Sequence, residues 1–226
     1  GVTVGYLVFR WSLDFASVPQ VATTVTTIPI FVAIANLLIN RQPISLAKMI
    51  GGICAVGGIA LLITDGYLAP LAGSGSNLLG IFLAMGCAAA VALYSVLARP
   101  IVAEYGALRI TAITMMLGGI GLWVLVGVVF GVWAMPERLA QLPSSSLGYL
   151  LIIAFWNTTI TQFLWIGGLA AVPDITRGSY LFFLKPVIAA LLAVWILNQE
   201  ITLVQMLAIA VVCASVFGEI FLTRKS

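Results

Sequence analysis

The sequence has no histidine and few charges: ten lysines and arginines and seven aspartates and glutamates in 226 residues, 8% of the chain, against about a quarter in a soluble domain. So few charges do not solvate a globule of this size, and a soluble protein is excluded. Without histidine there is no imidazole catalysis, no His-ligated zinc and no histidine proton relay. Cys54, Cys87 and Cys213 stand singly in apolar runs, without CxxC spacing, and read as small packing residues rather than metal or redox ligands. No GxxxxGK[ST] loop is present, so the chain does not encode direct ATP drive. No metal and no cofactor are expected, and nothing points to nucleic acid. A signal peptide is not visible, and the sequence opens on Gly1 instead of Met, from which an N-terminal truncation is expected.

What the chain has instead is apolar residues, 62% of the total, in long runs rather than a period-2 alternation. That pattern fits helices in lipid and not an outer-membrane barrel. Turn signals divide the runs into eight segments, at about 1–16, 20–39, 47–63, 78–98, 108–131, 148–170, 179–197 and 203–222. The breaks carry Ser17-Val18-Pro19, Asn40-Arg41-Gln42-Pro43, Gly73-Ser74-Gly75-Ser76, Arg99-Pro100, Pro143-Ser144-Ser145-Ser146 and Val172-Pro173-Asp174. The expected fold is an all-α polytopic membrane bundle of about eight transmembrane helices. With alternating spans, Arg41, Lys48, Arg99, Arg109, Arg177, Arg224 and Lys225 collect on one side and only Arg138 on the other. The positive-inside rule then places the first side, and the C-terminus, in the cytoplasm, with the plasma membrane as the expected location.

An internal repeat adds a second constraint. Positions 29–63 align without gaps on 186–220, 157 residues on, with matches that include Pro29/Pro186, Ala33/Ala190, Gln42/Gln199, Leu46/Leu203 and Met49/Met206. Upstream, after a three-residue length difference, Trp11/Trp165, Ala16/Ala170, Val18/Val172 and Pro19/Pro173 also match. Counting spans puts the two copies in opposite directions. Such inverted halves can exchange conformations around a central site, the basis of alternating access.

The run Ala16-Ser17-Val18-Pro19, a helix bearing Pro29, and Ser45-Leu46 opening the Gly-rich helix Gly51–Gly58 resembles the EamA-type repeat of the drug/metabolite transporter superfamily. The second copy is similar, with Lys185-Pro186, then Leu197-Asn198-Gln199-Glu200-Ile201-Thr202 and a final helix. The resemblance implies ten helices in two inverted five-helix repeats. Residues 1–72 would then be the last three helices of the first repeat and 77–226 the whole second repeat, with two helices missing. It also implies transport of small metabolites or amino acids, often outward. The family's acidic residue after the proline-bearing helix is present as Glu200, expected to act as a turn and capping residue; Pro43 stands in its place in the first copy.

Candidate transport residues follow from polar groups at membrane depth, which are costly there and therefore functional hypotheses. Arg10 and Asp14 share a helix face at i,i+4, either as a bracing ion pair or in coupling. Lys185 either faces a cavity or snorkels to the interface. Asn157, Thr161 and Trp165 recur along one face with Gln162 beside them, and Trp11 is the repeat mate of Trp165. Tyr94 and Tyr180 are weaker candidates for the same cavity. Pro29 and Pro186 each remove an amide hydrogen and are expected to kink their helices as hinges. Gly80, Ala84, Ala88 and Ala92, and Ala210, Ala214 and Gly218, form small-residue stripes suited to helix packing or to a homo-oligomer contact.

The reading these features support is a secondary transporter in the lipid bilayer, an exporter or exchanger of a small solute. The alternative is a non-transporting membrane scaffold or sensor subunit. An intramembrane enzyme would need a nucleophile with a base, and no such constellation is present.

Overall fold

The computed structural model describes residues 2–64, 66, 75–133, 137, 142–198 and 200–223; the side chains of Pro19, 75–77, Asn157, Leu197 and 219–223 are outside that description. The described chain is helical: α1 (Val2–Phe15), α2 (Val18–Val25), α3 (Ile28–Asn40), α4 (Leu46–Thr64), α5 (Gly75–Tyr105), α6 (Ala107–Phe130) and α7 (Ser144–Ile152). A π-helical stretch (Ile153–Ile160) leads into α8 (Thr161–Ala171). Then come α9 (Ile175–Ser179), a 3₁₀ turn (Tyr180–Phe183), α10 (Leu184–Leu197) and α11 (Leu203–Thr223). Six stretches are long and apolar enough to cross a membrane. Beside them α11 holds a shorter apolar run, Leu203–Gly218, α1 coincides with the first apolar run of the sequence, and the molecule is a polytopic membrane helical bundle.

The bundle is organised around α5, which packs against α1, α2, α3, α6 and α8. Small residues make this possible. Ala84, Ala88 and Ala92 are fully buried, and a Cβ on Gly80 would lie 2.5 Å from the Ala16 Cβ and 2.9 Å from the Ser12 carbonyl oxygen. The first predicted stripe is therefore a packing seam of α5, with Gly80 and Ala84 against α1 and α2 and with Ala88 and Ala92 against Ile28 and Val32 of α3. The second is not: Ala210 and Ala214 are exposed and nothing stands within 4 Å of a Cβ on Gly218. On α11 the residues that face the bundle are Ala208, Val212 and Val216, buried against Ala55, Ile59 and Leu62 of α4. Gly58 admits the contact, since its Cβ would sit 2.8 Å from Val212.

Two sequence boundaries move. Arg99-Pro100 does not break the fourth segment, because α5 continues to Tyr105 and ends at Gly106 with φ 87°, a conformation open to glycine. Val102, beyond the proline, is buried with Ala98 and Ile166, so apolar packing keeps the helix going. Gly75, expected in a linker, already opens α5, and 73–74 lie outside the described residues. Glu200 is exposed and makes no side-chain hydrogen bond among the described residues. The helix after it starts on reciprocal bonds between Thr202 and Gln205, each backbone N–H donating to the other's side-chain oxygen at 3.2 Å.

The backbone follows the 157-residue offset closely. Among the described residues, Arg41 (φ 55°) and Asn198 (φ 50°) are the only non-glycine residues at positive φ, and they end α3 and α10 at equivalent positions. Ser45 accepts the Lys48 amide where Thr202 accepts that of Gln205. The α2–α3 break at Thr26–Thr27, just before Pro29, corresponds to the step from the 3₁₀ turn into α10, just before Pro186. The expected proline kinks thus take the form of interruptions one turn upstream, where the ring would clash with the helix. The offset also reaches the helix caps Ser17 and Asp174. This corrects the upstream alignment: Val18-Pro19 sits in the first turn of α2, whereas Val172-Pro173 lies in the loop before α9. Proline is tolerated at both places because neither needs its N–H.

Candidate substrate cavity and its closure

Between α1, the α2–α3 break, α5, α8 and the 3₁₀ turn lies a cavity of about 180 Å³. Its walls are mostly apolar, from Val2, Gly5, Tyr6 and Phe9 on α1, and Cys87 and Val91 on α5. Both interrupted helices contribute at equivalent positions, Val25 opposite Phe182 and Ile28 opposite Lys185. The polar groups in the lining are Tyr6, Tyr94, Ser95, Thr161, Gln162, Trp165 and Lys185. Five residues predicted from sequence (Tyr94, Thr161, Gln162, Trp165, Lys185) therefore meet in one place.

Their geometry is partly fixed by the protein. The Tyr94 hydroxyl is tied to Thr114 of α6 at 2.9 Å. Trp165 stands edge-on to Phe182, with ring centroids 5.3 Å apart, and the Lys185 ammonium lies 4.4 Å from the centre of the same Phe182 ring, a cation–π distance. Thr161 donates to the Trp156 carbonyl at 3.2 Å, and Thr158 and Thr159 likewise donate to carbonyls five residues back. Widening to π geometry loosens the backbone, and these hydroxyls compensate. The π stretch ends at Thr161, the first cavity residue of its helix. Gln162 makes no side-chain hydrogen bond among the described residues.

Other expected site residues lie elsewhere. Trp11 is 42% exposed and packs edge-on against Phe130 at 6.2 Å, because α1 turns Gly5, Tyr6 and Phe9 inward instead. Arg10 and Asp14 form an ion pair at 3.5 Å on the exposed side of α1, away from the cavity. Tyr180 is outside the cavity lining, buried in the cluster with Ala55, Ile59 and Phe183, and donates its hydroxyl to the Lys48 carbonyl oxygen. The side chain of Asn157 lies outside the described residues.

Beyond the cavity, at the end of the bundle that carries Arg41, Lys48, Arg99 and Arg177, a polar network joins the two parts of the chain. Lys48, at the start of α4, pairs with Asp174, the cap of α9, and both are largely enclosed, with 13% and 30% of their side chains exposed. Asp174 also accepts the Thr176 and Arg177 amides at 3.0 and 3.3 Å. Burial raises its pKa, but the Lys48 hydrogen bond, the Arg177 amide, the Lys48 charge and the Thr176 amide outweigh burial and hold the carboxyl below its ordinary value. Arg99 of α5 donates to the Pro173 carbonyl at 2.8 Å. Asn36 of α3, 2% exposed, donates to Gln42 at 2.8 Å and to Thr176 at 3.3 Å, and accepts from Asn40 at 2.7 Å.

Sequence reasoning passed over this network. Lys48 entered only as a topogenic charge, and Asp174 only as a turn residue. The available signal was Asn36, an amide inside the apolar run Ile28–Ile39, four residues from Asn40 and so on the same helix face.

A multi-helix membrane bundle with a mostly apolar cavity that gathers several polar side chains, its helices interrupted beside that cavity, has the build of a solute transporter. The family is shown by sequence: the model of the EamA-like transporter family matches residues 1–64 and 78–220, and the chain belongs to that family. It is similar to an uncharacterised transporter of Archaeoglobus fulgidus, 22% identical over 205 residues that cover 90% of this chain and 68% of the relative. A crystal structure at 17% identity superposes with a TM-score of 0.69, spanning 97% of this chain and 71% of the other, which supports the fold. The protein is thus a multi-pass membrane transporter, working in a lipid bilayer on a small solute.

Proposed function

We propose that the chain is a secondary transporter that moves a small metabolite or amino acid by alternating access, as exporter or exchanger, and is not an enzyme. In this reading residues 1–72 and 77–226 belong to two inverted repeats, and the site is the cavity of Tyr94, Thr161, Gln162, Trp165 and Lys185. The interruptions at Pro29 and Pro186 are the hinges. The observation that carries the proposal is the pairing of this cavity with a cross-repeat network at one end of the bundle. That end holds the excess of lysine and arginine, so positive-inside orientation makes it, and the C-terminus, cytoplasmic. The state described is then closed to the cytoplasm by Lys48–Asp174, Asn36–Thr176 and Arg99. Arg10–Asp14, outside the cavity, braces α1 rather than couples an ion.

The test is counterflow in proteoliposomes containing the full chain, loaded in turn with individual amino acids and small carboxylates. A transporter accumulates labelled solute against its unlabelled counterpart, and Trp165→Ala lowers that flux while leaving insertion intact. Absence of counterflow for the whole panel refutes the reading and favours a non-transporting membrane subunit.

A further inference from the structure

The cavity is symmetric in backbone and asymmetric in charge. Ile28 and Lys185 occupy equivalent lining positions 157 residues apart, and so do Val25 and Phe182. One wall is aliphatic and the other presents an ammonium beside an aromatic ring. Among the described residues Lys185 is the only charged group in the lining, and no carboxylate lies within salt-bridge distance of it. The two acidic side chains with ion-pair partners, Asp14 and Asp174, are engaged by Arg10 and Lys48. A cation held at membrane depth without a counter-ion is costly, and an anionic group entering the cavity would remove that cost. Phe182 holds the ammonium by its ring face without neutralising it, so the charge remains available. The Gln162 amide, one residue beyond Thr161 and without a side-chain hydrogen bond among the described residues, can hydrogen-bond the same head group.

Resting on the transport reading, we propose that the solute is an organic monoanion with a flat or aliphatic body: its carboxylate pairs with Lys185 and Gln162, and its body lies between Trp165 and the Ile28 wall. The single ammonium matches one negative charge, and the lack of an acidic residue among the described lining residues disfavours cations and narrows the range of metabolites and amino acids to solutes without an exposed amine. Lys185 is then a specificity-determining residue.

The experiment compares three probes of nearly equal shape, 3-phenylpropanoate, 3-phenylpropanamide and 3-phenylpropylammonium, for direct binding to the purified full chain at pH 7 and for counterflow in proteoliposomes. The wild type binds the carboxylate at least tenfold more tightly than the other two. Lys185→Gln abolishes that preference, Lys185→Arg keeps it, and Lys185→Glu shifts it toward the amine. Monodispersity on size-exclusion chromatography establishes that each variant is folded, and the arginine variant supplies a control that keeps the charge. Wild type that fails to bind the carboxylate, or prefers the amide or amine, overturns the proposal, as does a glutamine variant that keeps the preference. The two readings fail separately. Lys185-dependent binding without counterflow sinks transport and leaves the anion site standing, whereas counterflow of an amine or amide that ignores Lys185 sinks the anion site and leaves transport.

Discussion

Replacing Asp174 by asparagine separates two roles that one side chain combines. Asparagine still caps α9, since its carbonyl oxygen can accept the Thr176 and Arg177 amides, but it cannot pair with Lys48 as a charge. With 13% and 30% of the two side chains exposed, the pair is neither fully dry nor freely solvated, so the cost of about 3–5 kcal/mol for breaking a buried pair overstates it. A charge-assisted hydrogen bond, about 2 kcal/mol, is the better measure. If the pair forms only when the cytoplasmic side is closed, its loss shifts the open–closed equilibrium by roughly 30-fold. Cys87 reports that shift, because it lines the cavity and is 5% exposed in the closed state. In a background with Cys54 and Cys213 replaced by serine, an impermeant maleimide applied from the cytoplasmic face should label Cys87 roughly 10- to 30-fold faster in Asp174→Asn than in wild type. Adding Lys48→Gln to Asp174→Asn removes no further pair and should leave the rate within about threefold of the single variant. The pH dependence has a defined sign. Asp174 titrates below its ordinary value of 3.8 when paired, so the pair's contribution is complete above that value and lost as pH falls through the lowered one. The ratio of variant to wild-type labelling should therefore stay flat from about pH 5 to 8. Equal labelling of wild type and Asp174→Asn refutes the closure argument, and so does a Lys48→Gln, Asp174→Asn double variant that labels much faster than the single one.

Gly80→Leu should lower the thermal stability of the purified protein by an amount corresponding to about 1–3 kcal/mol, since even a Cβ there meets the Ala16 backbone nitrogen at 2.6 Å; Gly57→Ala, with nothing within 4 Å, should leave it unchanged or slightly raised. Arg41→Gly should stabilise by up to about 1 kcal/mol by removing a left-handed arginine, and more than Asn198→Gly, because asparagine tolerates that conformation; equal denaturation midpoints would show that neither backbone position is strained. Ser17→Asp with Gln205→Lys, the positions 157 residues from Asp174 and Lys48, should slow labelling of Cys87 from the extracellular face and speed it from the cytoplasmic one, because alternating access couples the two openings.

The helices were legible in the sequence because a membrane protein writes its fold in hydropathy: every span must be apolar along its whole length, and the eight runs match the helices to within a few residues. The misplaced boundary at Arg99-Pro100 shows the limit. Proline marks a break only when nothing holds the helix together, and burial of Val102 against Ile166 holds this one. The cavity was legible in part, through Thr161, Gln162, Trp165 and Lys185, because polar side chains deep in a span have few places to go. Trp11 failed as a candidate because its match to Trp165 rested on a three-residue shift that the caps Ser17 and Asp174 do not follow. The closing network was missed for a different reason. Lys48 and Asp174 lie 126 residues apart near span ends, where charged residues are ordinary, and only their meeting in space sets them apart.

That network also bears on how two equal backbones divide unequal work. On the proposed repeat, closing the opposite end would bring together the mates of the residues that close this one, because the movement that opens one half is the movement of its copy seen from the other side. Lys48 maps on Gln205 and Asp174 on Ser17, and Ile28, the mate of Lys185, brings no charge to the cavity. The extracellular closure would therefore rest on uncharged side chains, whose contacts contribute about 1 kcal/mol each rather than the larger amount of an enclosed ion pair. An empty protein should accordingly favour the cytoplasm-closed state. A solute anion bound at Lys185 moves that balance only if it is held more tightly in the other state, which places the coupling between binding and opening along α9 and the 3₁₀ turn, the twelve residues that run from Asp174 to Lys185.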